Sequence, residues 1–375
     1  MGCIVSRKKE EESKIKNYTK IKIPEKYSII KISSFDINIK NTINLDNKIK
    51  NIINYINTSY NKKQIDIICL QGINDVISSY KLVRELKKYS YNKKIKLFFS
   101  PEFEDIEYTE YNNFIGEYKR TSRIISDNSS SKTRNLKKIE VQNIIISKYP
   151  IIEQVYAELD THHDIDDVIG SRSIIGINVS IKGAIISIYN TKLTPNIINA
   201  NMINDDIRKQ EMEEIKYVID KNKASIKSLK NYKKTNIHFL VGNMNIPEIN
   251  YIGDNAKLYN LTYSTENSII NNEFIEFVKK FKCIDIYRFL NEYSNGFTNS
   301  TNERLNYIMF LFTDEIYDDK TYSNAIKNIK NSQDLLKIIF NKYHIYFFDS
   351  YVIKKNISSF FLNYPIETVF MIETN

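Results

Sequence analysis

Ile65-Asp66-Ile67-Ile68-Cys69-Leu70-Gln71-Gly72 is an apolar, β-branched run that stops on one polar residue and one glycine. A short continuous apolar run bounded in this way reads as a buried strand. The same signal recurs outward along the chain, at 27–37, 94–99, 141–147, 174–181, 184–189, 237–241, 305–312, 345–353 and 368–372. Apolar residues at helical spacing mark 45–56, 76–86, 205–219 and 274–281. Strands interspersed with helices predict a layered α/β domain. No fixed-period repeat and no Pro- or Gly-rich linker divides the chain. The expectation is therefore a flexible polar tail over 1–25 and one domain over 26–375. Polar insertions are expected near 106–140, which holds Ser129-Ser130-Ser131, and near 318–343.

The chain has 375 residues, 42% of them hydrophobic and 26% charged, enough apolar material for a packed core and too much for wholesale disorder. No apolar run approaches the ~20 residues of a membrane span, and no secretory h-region follows Met1. Three cysteines, Cys3, Cys69 and Cys283, exclude a disulfide scaffold and fit a reducing compartment. The net charge of +9 favours anionic partners. Its weight is reduced by a bias toward Ile, Asn, Lys and Tyr, residues with AT-rich codons, which raises Lys without selection for binding.

The N-terminus reads Met1-Gly2-Cys3-Ile4-Val5-Ser6-Arg7-Lys8-Lys9. Gly2 with Ser6 fits N-myristoylation, and Cys3 beside it is placed for S-palmitoylation. One myristoyl chain binds membranes only marginally, so Cys3 and the basic run would supply the second signal. Glu10, Glu11 and Glu12 partly offset that run. The expected location is cytosolic, peripheral to a membrane, or to a host's membrane if the chain is viral.

Eight strand-end motifs occur in an order that resembles the endonuclease/exonuclease/phosphatase (DNase I-like) superfamily. They are Ser34-Phe35-Asp36-Ile37; the opening run ending Gln71-Gly72; Asn143-Ile144-Ile145-Ile146-Ser147-Lys148-Tyr149-Pro150-Ile151; Arg172 before a strand; Asn190-Thr191-Lys192-Leu193; Gly242-Asn243-Met244-Asn245; Arg304-Leu305-Asn306-Tyr307-Ile308; and Phe361-Leu362-Asn363-Tyr364-Pro365-Ile366. The resemblance implies an α/β, DNase I-like four-layer sandwich, two packed mixed β-sheets flanked by helices.

The resemblance also implies that the catalytic positions are degenerate. A metal-holding Glu is replaced by Gly72, a water-orienting Asp by Asn243, and a His by Lys192. A further Asp is replaced by Asn306, and a closing Asp–His pair by Leu362 and Asn363. Asp36 stands where the family has Asn; Arg172 and Asn245 are retained. Magnesium needs at least one carboxylate, and acid–base catalysis needs a group that titrates near neutrality. The expectation is a membrane-anchored pseudoenzyme that serves as a binding or scaffold module, with no confident catalytic or metal residue and no cofactor. Its partners would be the cytosolic membrane face and a phosphorylated lipid or a protein, with nucleic acid disfavoured.

The alternative is a divergent Mg²⁺-dependent phosphodiesterase or phosphatase acting on a phospholipid, inositol phosphate or nucleic acid at the membrane. It would need ligands from Asp36 or from the run Asp160-Thr161-His162-His163-Asp164-Ile165-Asp166-Asp167. Otherwise that run reads as a solvated loop. Arg172, Lys192 and Arg304 could still make a cationic pocket, or Lys192 could simply face solvent. His238 reads as a core residue, His344 as structural, and Arg208, Lys209, Glu211, Glu213 and Glu214 as an ordinary solvated helix face.

Overall fold

A computed structural model describes residues 26–40, 43–61, 64–93, 97–100, 142–159, 172–195, 204–228, 236–247, 272–291, 298, 304–312, 339, 343–354 and 363–373. The expected lipidated tail, both expected insertions, the 160–167 run and Leu362 lie outside the described residues, apart from Ile339 and Tyr343.

Among the described residues, twelve strands form two six-stranded sheets. The first has the order β11 (Ile345–Val352), β12 (Ile366–Glu373), β1 (Tyr27–Ile39), β2 (Ile67–Ile73), β4 (Ile144–Ser147), β3 (Phe98–Ser100). The second has the order β5 (Ile151–Leu159), β6 (Arg172–Ile181), β7 (Ala184–Lys192), β8 (Asn236–Asn243), β10 (Asn306–Leu311), β9 (Cys283–Asp285). Both sheets are mixed: β1 runs parallel to β2 and β7 parallel to β8, and the remaining pairs are antiparallel. Isoleucine and phenylalanine dominate the central strands, and every residue of β2, β4, β7 and β10 is buried. Burial on both faces explains why those strands read as continuous apolar runs rather than alternating ones.

The helices cover the outer faces. α1 (Leu45–Asn61) and α2 (Val76–Lys93) bury Ile49, Ile52, Ile56, Leu82 and Leu86 in the same core as β1 and β2. α3 (Asn204–Ser228) and α4 (Asn272–Phe281) bury Met212, Ile215, Ile219, Phe274 and Phe277 against Tyr189, Leu240 and Tyr307 of the second sheet. Between the sheets, Phe239 of β8 meets Phe370 of β12 at 4.9 Å, and Phe310 of β10 meets Phe347 of β11 at 5.6 Å. Such ring contacts add about 0.5–1.5 kcal/mol beyond burial and lock the two sheets face to face. The expected four-layer order of helix, sheet, sheet and helix is present.

Three elements escape a periodicity reading. β5 carries Glu153, Gln154 and Glu158 because it is an edge strand with one face in solvent. β9 spans only three residues. α5 (Ile286–Leu290) is a single turn whose Asp285 cap accepts from Tyr287 N at 3.1 Å. Of the strand expected at 94–99, residues 94–96 lie outside the described residues, and Phe98–Ser100 is a strand.

Candidate functional site

The topology gathers the motif residues at one rim. In the parallel register Asp36 lies opposite Gln71, one residue before Gly72, and Lys192 lies opposite Asn243. Asn306 opposes Asn243 from the antiparallel side, and Ser34 opposes Ile366, three residues after Asn363. Parallel strands end together, so their last side chains share a crevice at the C-terminal edge.

At the centre is the Asp36 carboxylate, 1% exposed. Lys192 Nζ stands 3.0 Å from each of its oxygens. Asn243 Nδ2 donates to Oδ2 at 2.5 Å, Asn363 Nδ2 to the same oxygen at 3.0 Å, and the Asn38 backbone N–H to Oδ1 at 3.2 Å. A carboxylate offers about four lone-pair sites, and four donors occupy them. Burial pulls Lys192 below the usual lysine range; Asp36 opposes that pull, and the neighbouring Arg172 adds to it. Lys192 therefore neither faces solvent nor forms an open cationic pocket.

Gly72 explains why this arrangement fits. Its φ of +76° disfavours any L side chain, and an added Cβ would lie 2.3 Å from Asp36 Oδ1 and 2.9 Å from Lys192 Nζ. The Asp36–Lys192 pair thus fills the space that a side chain on Gly72 would need. Gly242 is constrained similarly: a Cβ there would sit 1.9 Å from the Thr191 carbonyl oxygen. The retained turn after it is pinned by Asn245 N–H donating to Asn243 Oδ1 at 2.8 Å and by Asn245 Nδ2 reaching Leu193 O at 2.5 Å.

Behind the centre lies a buried polar layer. Gln71 Nε2 donates to Asn190 Oδ1 at 2.7 Å, and Asn190 Nδ2 donates to the carbonyls of Leu70 and Ile144. Asn143 Nδ2 bonds Ser173 O at 2.9 Å. These amides join the ends of the two sheets at the base of the crevice. Arg304 is committed elsewhere: it pairs with Asp285, and its guanidinium lies 5.4 Å from the Tyr287 ring and 4.8 Å from the Tyr307 ring. Asn306 Nδ2 reaches only the Tyr364 carbonyl, at 3.4 Å. The structure thus brings Asp36, Gly72, Lys192, Asn243 and Asn363 together, with Asn245 and Arg172 adjoining, and sets Arg304 and Asn306 in the supporting layer.

One cluster was missed by the sequence reading and corrects it. Arg208 and Glu211 are buried rather than solvated. Glu211 accepts from Thr194 N at 2.9 Å and from Thr194 Oγ1 at 2.7 Å. Burial pushes the Glu211 carboxyl above its ordinary range, against the opposing pull of the Thr194 bonds, Arg172 and Arg208. Arg208 forks onto Glu273 through Nε at 2.5 Å and Nη2 at 2.8 Å, and reaches Thr194 O through Nη1 at 3.2 Å. The signal was spacing: residues 208, 211, 212, 215 and 219 share one face, with two charged positions on an apolar stripe. His238 is a core residue, with Nδ1 3.4 Å from Tyr189 OH, and His344 pairs with Glu373 at 2.8 Å on the surface.

The residues present do not suit a divalent cation. Gly72 offers no ligand, Asp36 is saturated, and no group of three His, Cys, Asp or Glu side chains gathers among the described residues. No described helix is long and apolar enough to cross a membrane.

No family model matches the chain, and no curated protein matches it in sequence. Solved structures do match in fold. Beta toxin from Staphylococcus aureus is 16% identical, covers 90% of this chain and 99% of its own, and superposes with a TM-score of 0.51. The structure of SmcL is 13% identical, covering 92% and 99% with a TM-score of 0.50. An endonuclease/exonuclease/phosphatase family protein from Leptotrichia buccalis is 14% identical, covering 90% and 98% with a TM-score of 0.46. The chain has the DNase I-like fold, over nearly the full length of each of these proteins.

Proposed function

We propose that this chain is a membrane-anchored binding protein that keeps a DNase I-like fold and no longer turns over phosphoesters. One observation carries the reading: the strand ends that gather at the crevice present Gly72, Lys192, Asn243 and Asn363 around a single enclosed carboxylate. Phosphoryl transfer relies on metal and preorganised charge for most of its rate, and acid–base catalysis relies on a group free to exchange a proton. The donors of Lys192, Asn243, Asn363 and the Asn38 N–H already surround Asp36.

The framework around the crevice is intact, which favours retention of the fold for recognition. Gly2, Cys3 and Ser6 would hold the chain at the cytosolic face of a membrane by myristoylation and palmitoylation. Arg172 and Lys192 are both buried, with Lys192 paired to Asp36, so a phosphorylated lipid or protein partner would be met by the surface around the crevice rather than by these two cations.

The test uses the full chain. Turnover of DNA, inositol phosphates and sphingomyelin is measured with Mg²⁺ and with Mn²⁺, and the membrane-bound fraction is compared between wild type and Gly2→Ala. The expected outcome is no metal-dependent turnover and release of Gly2→Ala from membranes. Turnover by the wild type would establish the alternative, a divergent phosphodiesterase or phosphatase. An unchanged membrane fraction would remove the lipid anchor. Gly72→Glu alone would collide with Asp36 and Lys192 at a left-handed backbone position, so it is not a usable test of lost catalysis.

A further inference from the structure

We propose that the Lys192 ammonium is a tethered cation occupying the seat a divalent ion would need at Asp36. The wild-type chain then takes no Mg²⁺ or Mn²⁺ there, and removing the lysine amine uncovers a divalent-cation site. The inference deepens the preceding reading and rests on it for the identity of the site.

The geometry is that of a bridging cation. Lys192 Nζ sits equidistant, at 3.0 Å, from both oxygens of one carboxylate, on the side facing the second sheet. A divalent ion chelated by Asp36 would have to approach the same oxygens, and at that range two cations repel strongly in a buried site. The remaining lone pairs already face Asn243, Asn363 and the Asn38 N–H.

The surroundings fit a substitution that moved the carboxylate and supplied its cation together. Asp36 on β1 provides the negative charge that the adjacent strand lacks at Gly72. Any side chain on Gly72 would strike both members of the pair. Glycine at 72, aspartate at 36 and lysine at 192 are therefore mutually required: each makes room or charge for the other two. Without the amine, Asp36 is left as a buried carboxylate. Asn243 Oδ1 is held by the Asn245 N–H, whereas Asn363 carries an amide oxygen that a turn of its side chain would bring toward Asp36. A carboxylate with one amide oxygen and water is a workable donor set for a hard divalent ion.

The experiment is a Mn²⁺ titration of the full-length chain, read by the paramagnetic resonance of free Mn²⁺ and by the thermal midpoint. Wild type, Lys192→Ala, Lys192→Gln and Asp36→Asn/Lys192→Ala are compared. The double variant accounts for Mn²⁺ held elsewhere, including at the acidic run near 160–167. Lys192→Ala is expected to bind one additional Mn²⁺, about tenfold or more tighter than any site it shares with wild type. Its midpoint should rise with Mn²⁺, because a ligand that binds only the folded state stabilises it. Wild type and the double variant should show neither effect.

If Lys192→Ala folds only when Mn²⁺ is added, the proposal is supported by that rescue. A folded Lys192→Ala or Lys192→Gln with no added Mn²⁺ site overturns it, and so do variants that stay unfolded at saturating Mn²⁺. Mn²⁺ bound by wild type and lost in Asp36→Asn/Lys192→Ala also overturns it. Metal-free turnover by the wild type would refute the preceding reading and leave this one standing.

Discussion

Two buried ion pairs lie one after the other along the rim that follows β7, and they are built on different chemistry. Arg208 and Glu273 form a planar fork, two parallel bonds between α3 and α4, with a third reaching the Thr194 carbonyl. Lys192 and Asp36 join a point charge to a carboxylate whose other bonds come from amides on separate strands. A guanidinium fork fixes geometry, because both partners are flat and meet through two parallel bonds. An ammonium has no such directional demand and can stand where a metal ion could stand. The fork fastens the helical layer to the sheet. The Asp36 pair neutralises the crevice and bridges β1 of the first sheet to β7 of the second. Neighbouring pairs of equal burial can thus serve framework in one case and site chemistry in the other.

The sharpest way to break this comparison is Arg208→Ala. It strands Glu273 and the Thr194 carbonyl in the interior, and should lower stability by about 3–5 kcal/mol in urea unfolding. A loss below about 1 kcal/mol would mean that the fork fastens nothing. The next expected effect is smaller and of opposite sense. Asp36→Asn/Lys192→Met removes both charges of the site pair together. Well-packed neutral replacements of buried pairs are often neutral or stabilising by about 1–4 kcal/mol. A large loss in the double variant would make the Asp36 pair as structural as the fork.

The smallest effect separates the two clusters through Glu211, which lies between them. Its carboxyl is raised above 4.5 chiefly by burial. A raised folded value means that its contribution is whole below pH 4.5 and is lost as pH climbs through the folded value. Stability curves of wild type and Glu211→Gln measured against pH should therefore diverge above 4.5, with the wild type falling relative to the variant. Parallel curves would show that Thr194, Arg172 and Arg208 compensate its burial fully.

Much of the fold was legible because burial writes itself into composition. The strands 65–72 and 143–147 are enclosed by helices and a second sheet, so nearly every residue had to be apolar, and the run is visible without context. β5 was not legible for the opposite reason: an edge strand with one wet face tolerates Glu153 and Glu158. At the site, Gly72, Asn243 and Asn363 could be picked out from their places in ordered motifs. Their consequence could not. Asp36 reads as a stray carboxylate available for a metal, and Lys192 as either a solvent-facing lysine or part of a pocket. Only their meeting, 156 positions apart, shows that each consumes the other. Arg208 and Glu211 read as a solvated face because charge alone suggests water, and the partners that permit their burial, Glu273 for Arg208 and Thr194 for Glu211, lie elsewhere in the chain.

The sequence by itself determined the layered α/β architecture and the order of the strand-end motifs. It could do so because side-chain type and local periodicity are properties of neighbouring residues. The tertiary structure decided which charges are spent on one another. Pairing, desolvation and the filling of the space beside Gly72 depend on distances between strands far apart in the chain, and those distances exist only after the two sheets have closed.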